Sequence, residues 1–386
     1  MMRRALLLTL ALGVLVNSQS PASSSQDAAA HKVEVINTLA HERPFETISI
    51  SAGDLKKALA VDDLRTVRVR DEKTSADLLT QAIDTNDDGA FDDLIFQADF
   101  APRETRRFTL SVGERRIARK DEYRAYGRFN RERRDDFAWE NDRVAHRMYG
   151  AALETWKQEP LTSSGLDVWV KRTPRLIIND WYMVDDYHRD TGEGADLYSV
   201  GRTRGCGGSG LWVDGKLYSA ANFRNSRVLA NGPLRVMFEL MYEPFDAAGS
   251  KVTEMKRITL DAGHHLNRVE IVSEGGPPNA VLAAGIRKNP GSLEQTTRDA
   301  GILRTWEPIK QEGHLGCAVI LPALAETREA DGNHLAIAAP QPGPRVYFAG
   351  SAWDRGGHIK SIEEWDTYLL REAARRKTPV QIRVGR

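Results

Sequence analysis

Cysteine is nearly absent: the 386-residue chain holds two, Cys206 and Cys317. Two thiols exclude a disulfide framework and a zinc site built mainly from cysteine. An oxidising compartment permits a bond between them, but spacing alone does not supply their distance. Net charge is also missing, with 54 basic against 54 acidic side chains, so no global field selects a partner. The chain has no G-x-S-x-G elbow for a serine nucleophile and no internal repeat. Beyond its first residues no apolar run reaches membrane length. Helical periodicity is scarce, and only 53–60 and 361–376 carry it.

The first residues read as a processing signal. Arg3 and Arg4 precede an apolar run over 5–16 that is too short to span a bilayer, and a Ser/Ala/Gln-rich stretch follows to Ala30. The pattern predicts a signal and flexible lead over 1–30. The mature protein is then periplasmic or secreted, with no membrane partner after signal removal. Nucleic acid does not fit an exported chain. The local excess over 115–134, nine basic against three acidic residues, therefore reads as a solvated linker or helix face, or as steering for a polyanion.

What the chain does have is strands and turns. Segments 31–38, 46–50, 94–97, 108–112, 167–171 and 234–242 are short, alternating or rich in branched and aromatic residues. Turn signals separate the strands, and Asp214-Gly215 between two apolar triplets predicts a hairpin. Short strands with frequent turns indicate an all-β sandwich or barrel. A boundary between Val112 and Tyr123 divides an N-terminal β module, 31–112, from a sheet-rich body, 123–386.

The densest chemistry lies in F-A-W-E-N-D-R-V-A-H-R-M-Y-G, residues 137–150. As one strand, it places Trp139, Asn141, Arg143, Arg147 and Tyr149 on one face, and Glu140, Asp142, Val144, His146 and Met148 on the other. The first face suits an anionic sugar; the alternative is a solvated face with an ion-pair ladder. A second polar stretch, 181–204, reads as a loop holding Asp185, Tyr187, His188, Asp196, Arg202 and Arg204. Tyr187 and His188 are candidate acid and base, and the two arginines can neutralise a carboxylate. The bland alternative is a surface loop of caps and ion pairs.

Asp84, Asn86 and Asp88, with Gly89, match the start of an EF-hand loop, but Ile95 stands where the bidentate Glu belongs. The loop is either a weak calcium holder or an Asx-rich turn without an ion. Residues 205–210 match G-x-G-x-x-G, but a hairpin follows instead of a helix, so the glycines serve close backbone approach. His264-His265, His314 and His358 carry no specific signal and read as surface or capping residues. Trp353 and Trp365 are a sugar-stacking platform or core packing.

Several strings together resemble the bacterial family catalogued as domain of unknown function 4861. They are D-D-F-A-W-E-N-D-R-V-A-H-R-M-Y-G, D-V-W-V-K-R, Y-H-R-D-T-G-E-G-A-D, G-R-T-R-G-C-G-G, V-L-A-N-G-P-L-R-V-M-F-E-L and K-R-I-T-L-D-A-G. The resemblance implies an exported protein of polysaccharide-degradation systems. Its implied fold is a large antiparallel β-sandwich of the galactose-mutarotase-like kind with few short helices. It also implies lyase or dehydratase chemistry on uronic-acid glycans.

The reading that follows is β-elimination on an anionic oligosaccharide or polysaccharide, with no cofactor required and at most a structural calcium. The expected catalytic residues are His188 or His146 as base, Tyr187 or Tyr149 as acid, and Arg143 and Arg204 as carboxylate-neutralising cations. Trp139, Glu140, Asn141, Arg147, Arg202 and Trp353 are expected to contact substrate. The alternatives are a glycoside hydrolase or epimerase on the same scaffold, and a non-catalytic glycan-binding protein.

Overall fold

The computed structural model describes residues 31–133, 135–157, 161–184, 186–343 and 345–385. The expected leader over 1–30, together with Arg134 and Asp185, lies outside the described residues. The chain is an all-β sandwich, built from antiparallel sheets with three α-helices among the described residues.

The N-terminal segment forms two small sheets. Strands His31–Ile36, Thr105–Val112 and Val67–Asp71 lie in one; Arg43–Ser51, Asp93–Phe100 and Thr80–Ile83 form the other. Alternation along each strand turns Val33, Val35, Ile48, Ile50, Phe96, Phe108 and Leu110 into a shared core. The last strand of the chain, Gln381–Val384, pairs with His31–Ile36. The division read from sequence had placed it with the body, because the pairing partner lies far away along the chain.

In the body, a nine-stranded sheet faces two five-stranded sheets across a continuous core. Helix Ile362–Lys377 covers the outer face of the large sheet through Trp365 and Leu369, both essentially fully buried. Each such side chain contributes about 1.5–3 kcal/mol. The helix starts where the Ser361 hydroxyl accepts from the Glu364 amide. Glu363 and Glu364 lie in its first turn, and Arg375, Arg376 and Lys377 in its last.

The hairpin at Asp214-Gly215 forms as expected, with positive φ at both residues (47° and 82°) and Val213 opposite Lys216. The glycine-rich run lies in strand Cys206–Val213. A Cβ on Gly207 would stand 2.3 Å from the Ala349 Cβ, so glycine there allows the two facing sheets to approach. Beside it, Cys206 and Cys317 are disulfide-bonded, with Cα atoms 5.4 Å apart. The bond joins a five-stranded sheet to the large sheet through the core.

Candidate functional site

The 137–150 block is two strands, Asp136–Asn141 and Ala145–Met148, joined by a tight turn. Because Trp139 pairs with His146 and Glu140 with Ala145, the turn exchanges the faces of the second strand. Trp139 and His146 therefore share the inner face, and Glu140 and Arg147 share the outer one. The expectation of one continuous strand fails here. So does that of a solvated face, because every residue of both strands is buried.

The turn is the useful part. Asn141 Oδ1 accepts from the Arg143 and Val144 amides, while its Nδ2 donates to the Asp261 and His264 carbonyls at 2.6 and 2.7 Å. Asp142 accepts from the Gly263 amide at 2.6 Å. The hairpin tip is thereby fastened to the turn that delivers His265. Glu140 anchors the next strand by accepting from Lys171 Nζ at 2.6 Å and from the Ile178 amide at 2.8 Å.

Arg143, Lys171, His265, Ser351, Trp353 and His358 line a narrow cleft here, with free volume of about 10 Å3, room for one water. His265 Nδ1 lies 3.0 Å from the Ser351 carbonyl, which only accepts. Nδ1 therefore carries the proton and Nε2 the lone pair. Burial pushes the His265 pKa down to about 3; the Ser351 contact opposes this and Arg143 reinforces it. His358 touches the Arg143 guanidinium, and burial and that cation lower its pKa too. The cleft thus places a fixed cation beside two neutral imidazoles. All three Lys171 contacts are internal: Glu140, the Asn141 carbonyl and the Arg175 carbonyl.

Behind the Trp169 wall lies a second cluster. Arg147 reaches Asp167 at 2.7 Å, Asp196 at 2.8 Å and Asp136 at 3.5 Å. Tyr149 donates to Asp167 and Tyr182 to Asp136. Burial raises Asp136 and Asp196 to about 7 against the pull of Arg147. Burial alone would lower the Arg147 pKa, but Asp196 and Asp167 reverse that and hold it charged. The half-exposed His188 stands at the edge, Nδ1 3.5 Å from the Asp196 carboxylate.

A family described as a domain of unknown function, DUF4861, matches residues 35–382. The chain belongs to this family. Uncharacterized protein P7 of Formosa agariphila is 31% identical over 378 residues, covering 94% of this chain and 95% of that protein. The DUF4861 fold overlaps that of an alpha-mannosidase from Enterococcus faecalis V583, with TM-score 0.51 at 11% identity over 92% of this chain and 46% of the other. A glycosyl hydrolase family 38 protein from Enterococcus faecalis gives 0.52 at 11% identity, over 92% and 47%. This chain spans about half the length of those two solved structures, and the likeness is one of fold.

Of the residues singled out from sequence, the DUF4861 structure brings Arg143 and Trp353 into the cleft. It gathers Arg147, Tyr149, Tyr187 and His188 around the buried aspartates. Tyr187 accepts from Arg133 and packs at a tilt against Trp169, and burial raises its pKa. The remaining candidates are elsewhere. His146 is fully buried against Trp139, whose indole donates to Asn267. Arg204 is buried and bound to Ser163, Ser164 and the Ser209 carbonyl, while Arg202 is exposed on a loop. Trp353 is a wall, not a free platform: Arg172 covers its ring at 4.6 Å, and its indole donates to the Glu312 carbonyl.

The polar 181–204 stretch is not all loop, since it opens inside helix Ile178–Val184 and contains an edge strand, Gly194–Ala195. In the acidic turn, Asp84 accepts from the Asn86, Asp87 and Gly89 amides, Asn86 from Asp88, and Asp88 from Ala90. Among the described residues, no group of three or more His, Cys, Asp or Glu side chains is placed to hold a metal. Sequence reasoning passed over His265 and His358 as surface residues. His265 is buried, and only the tertiary approach to Arg143 gives either a role.

Proposed function

We propose that this protein is a carbohydrate-active enzyme that performs β-elimination, as a dehydratase or lyase, on uronic-acid-containing oligosaccharides. The observation that carries the reading is Arg143 beside a neutral His265 whose lone pair is fixed on Nε2. The alpha-mannosidase and the glycosyl hydrolase family 38 protein that share the fold support a sugar substrate.

In this reading Arg143 pairs with the uronate carboxylate, which makes the carbanion at C5 accessible. His265 Nε2 removes the C5 proton, the electron pair forms the C4–C5 double bond, and the C4–O bond breaks. The His265 imidazolium so formed returns that proton to the departing oxygen, which leaves as water or as a sugar hydroxyl, and the neutral His358 N–H hydrogen-bonds the same oxygen. A bound carboxylate also raises the basicity of His265 above its free value. Entry requires His358 to leave Arg143, and the preceding Gly356-Gly357 pair provides the hinge, Gly357 having φ 87°. The chemistry uses no cofactor.

The test is the ultraviolet absorbance of an unsaturated uronate during incubation with uronic-acid oligosaccharides, with mass spectrometry alongside. Loss of one water identifies a dehydratase, and chain cleavage a lyase. Arg143→Ala and His265→Gln are each expected to lower the rate by about 100-fold. Since the neutral form of His265 persists as pH falls toward about 3, the acid limb of kcat/KM should lie below about pH 5. Cleavage without an absorbance rise would favour a hydrolase. Binding without any chemical change would leave a glycan-binding protein.

A further inference from the structure

On the other side of His358 lies a larger cavity of about 410 Å3. That lies within the roughly 300–1,000 Å3 typical of small-molecule sites. Three parts of the chain meet there: Glu42 and Pro44 from the N-terminal module, Ile359 from the loop after His358, and the face of helix Ile362–Lys377 carrying Glu363, Glu364, Thr367, Tyr368 and Arg371. His358 lines both spaces, so the two are neighbours and a ligand seated against Arg143 lies beside this cavity.

The lining has a definite chemistry. Four carboxylates, Glu42, Glu363, Glu364 and Glu372, stand against two guanidiniums, Arg371 and Arg375. Both cations are already engaged, Arg371 with Glu42 and Arg375 with Glu46 and Glu372. At the helix rim Glu364 already accepts from the Lys360 amide through one oxygen, and no lining guanidinium pairs with Glu363 or Glu364. Carboxylates accept hydrogen bonds from sugar hydroxyls and repel a second carboxylate. Pro44 and the half-buried Tyr368 ring, which stacks on Trp365 with centroids 5.5 Å apart, supply the apolar surface against which a sugar ring packs.

We propose that this cavity is the subsite for a neutral sugar joined to the uronate held at Arg143. The preferred substrate is then a uronate linked to a neutral residue, and a homopolyuronate is disfavoured. The inference rests on the elimination reading for the neighbouring cleft, and the two fail separately.

The experiment compares a tetrasaccharide in which glucuronate alternates with neutral hexose and a homoglucuronate tetramer. Calorimetry on the full protein gives binding, and ultraviolet absorbance gives turnover. The alternating compound is expected to bind at least tenfold more tightly. The double variant Glu42→Gln/Glu363→Gln should narrow that ratio by improving homoglucuronate binding, and Thr367→Trp, which fills the cavity, should remove the preference. A binding preference without turnover of either compound would support the subsite while sinking elimination. Equal or tighter binding of homoglucuronate, no binding of either compound, or a ratio unmoved by the variants, would overturn the subsite whatever the turnover.

Discussion

Replacing Arg147 with Met should destabilise the protein by about 3–5 kcal/mol near pH 8, the cost of leaving buried charge without its partner. Asp136, Asp167 and Asp196 all converge on this guanidinium and are at most 2% exposed. Removing it leaves Arg133 near Asp136, and Arg133 and Lys310 near Asp196. The loss should shrink toward pH 5.5, and the sign follows from linkage. Asp136 and Asp196 have folded pKa values raised to about 7 from an ordinary 3.8. The native state therefore holds more protons than the unfolded chain between those limits, and these groups cost more stability as pH rises through that window. Urea unfolding of both proteins at pH 5.5 and 8 checks this. A loss under about 1 kcal/mol, below the range for breaking a buried pair, or one that is the same at both pH values, would show that the cluster is not electrostatically coupled.

The double replacement Cys206→Ala/Cys317→Ala is expected to cost about 2–5 kcal/mol. The bond closes a segment with a sequence separation of 111 residues, where the chain-entropy argument places the effect near the top of that range. Both sulfurs lie in the core, so truncation also removes packing. The midpoint of thermal unfolding should fall by roughly 3–7 °C. Wild-type protein unfolded in reductant should move toward the variant, while the variant itself should not respond. An unchanged midpoint in the variant would mean that the sheets are held together without the bond.

What could be read in the sequence was what local chemistry decides. The Asp214-Gly215 hairpin, the strand at Asp167–Lys171 and the C-terminal helix follow from turn residues, alternation and a Ser cap. The motif at 137–150 was legible as important but not in its geometry. A short turn at Asp142 swaps the faces of everything after it, and its one signal, the Asn141-Asp142 pair whose Asn caps the Arg143 and Val144 amides, lies inside an otherwise continuous polar run. Burial of Glu140, Arg147 and Lys171 was illegible for a different reason. Charged side chains predict exposure unless their partners are known, and those partners, at Asp167, Asp196 and Asn141, come from other strands and loops. His265 and His358 are isolated in sequence. They acquire meaning only because Asn141 and Asp142 draw the hairpin tip onto the turn before His265, 121 and 123 residues away.

The pairing of Gln381–Val384 with His31–Ile36 bears on when the protein becomes competent as well as on its shape. One wall of the larger cavity comes from residues near the start of the chain, Glu42 and Pro44, and the opposite wall from a helix near its end. A ribosome delivers the first wall hundreds of residues before the second, and until then the His31–Ile36 strand has an open edge able to recruit a foreign strand. A truncated product lacking the C-terminal helix and strand would keep most of both sheets and the residues of the Arg143 cleft, yet would have only one wall of the larger cavity.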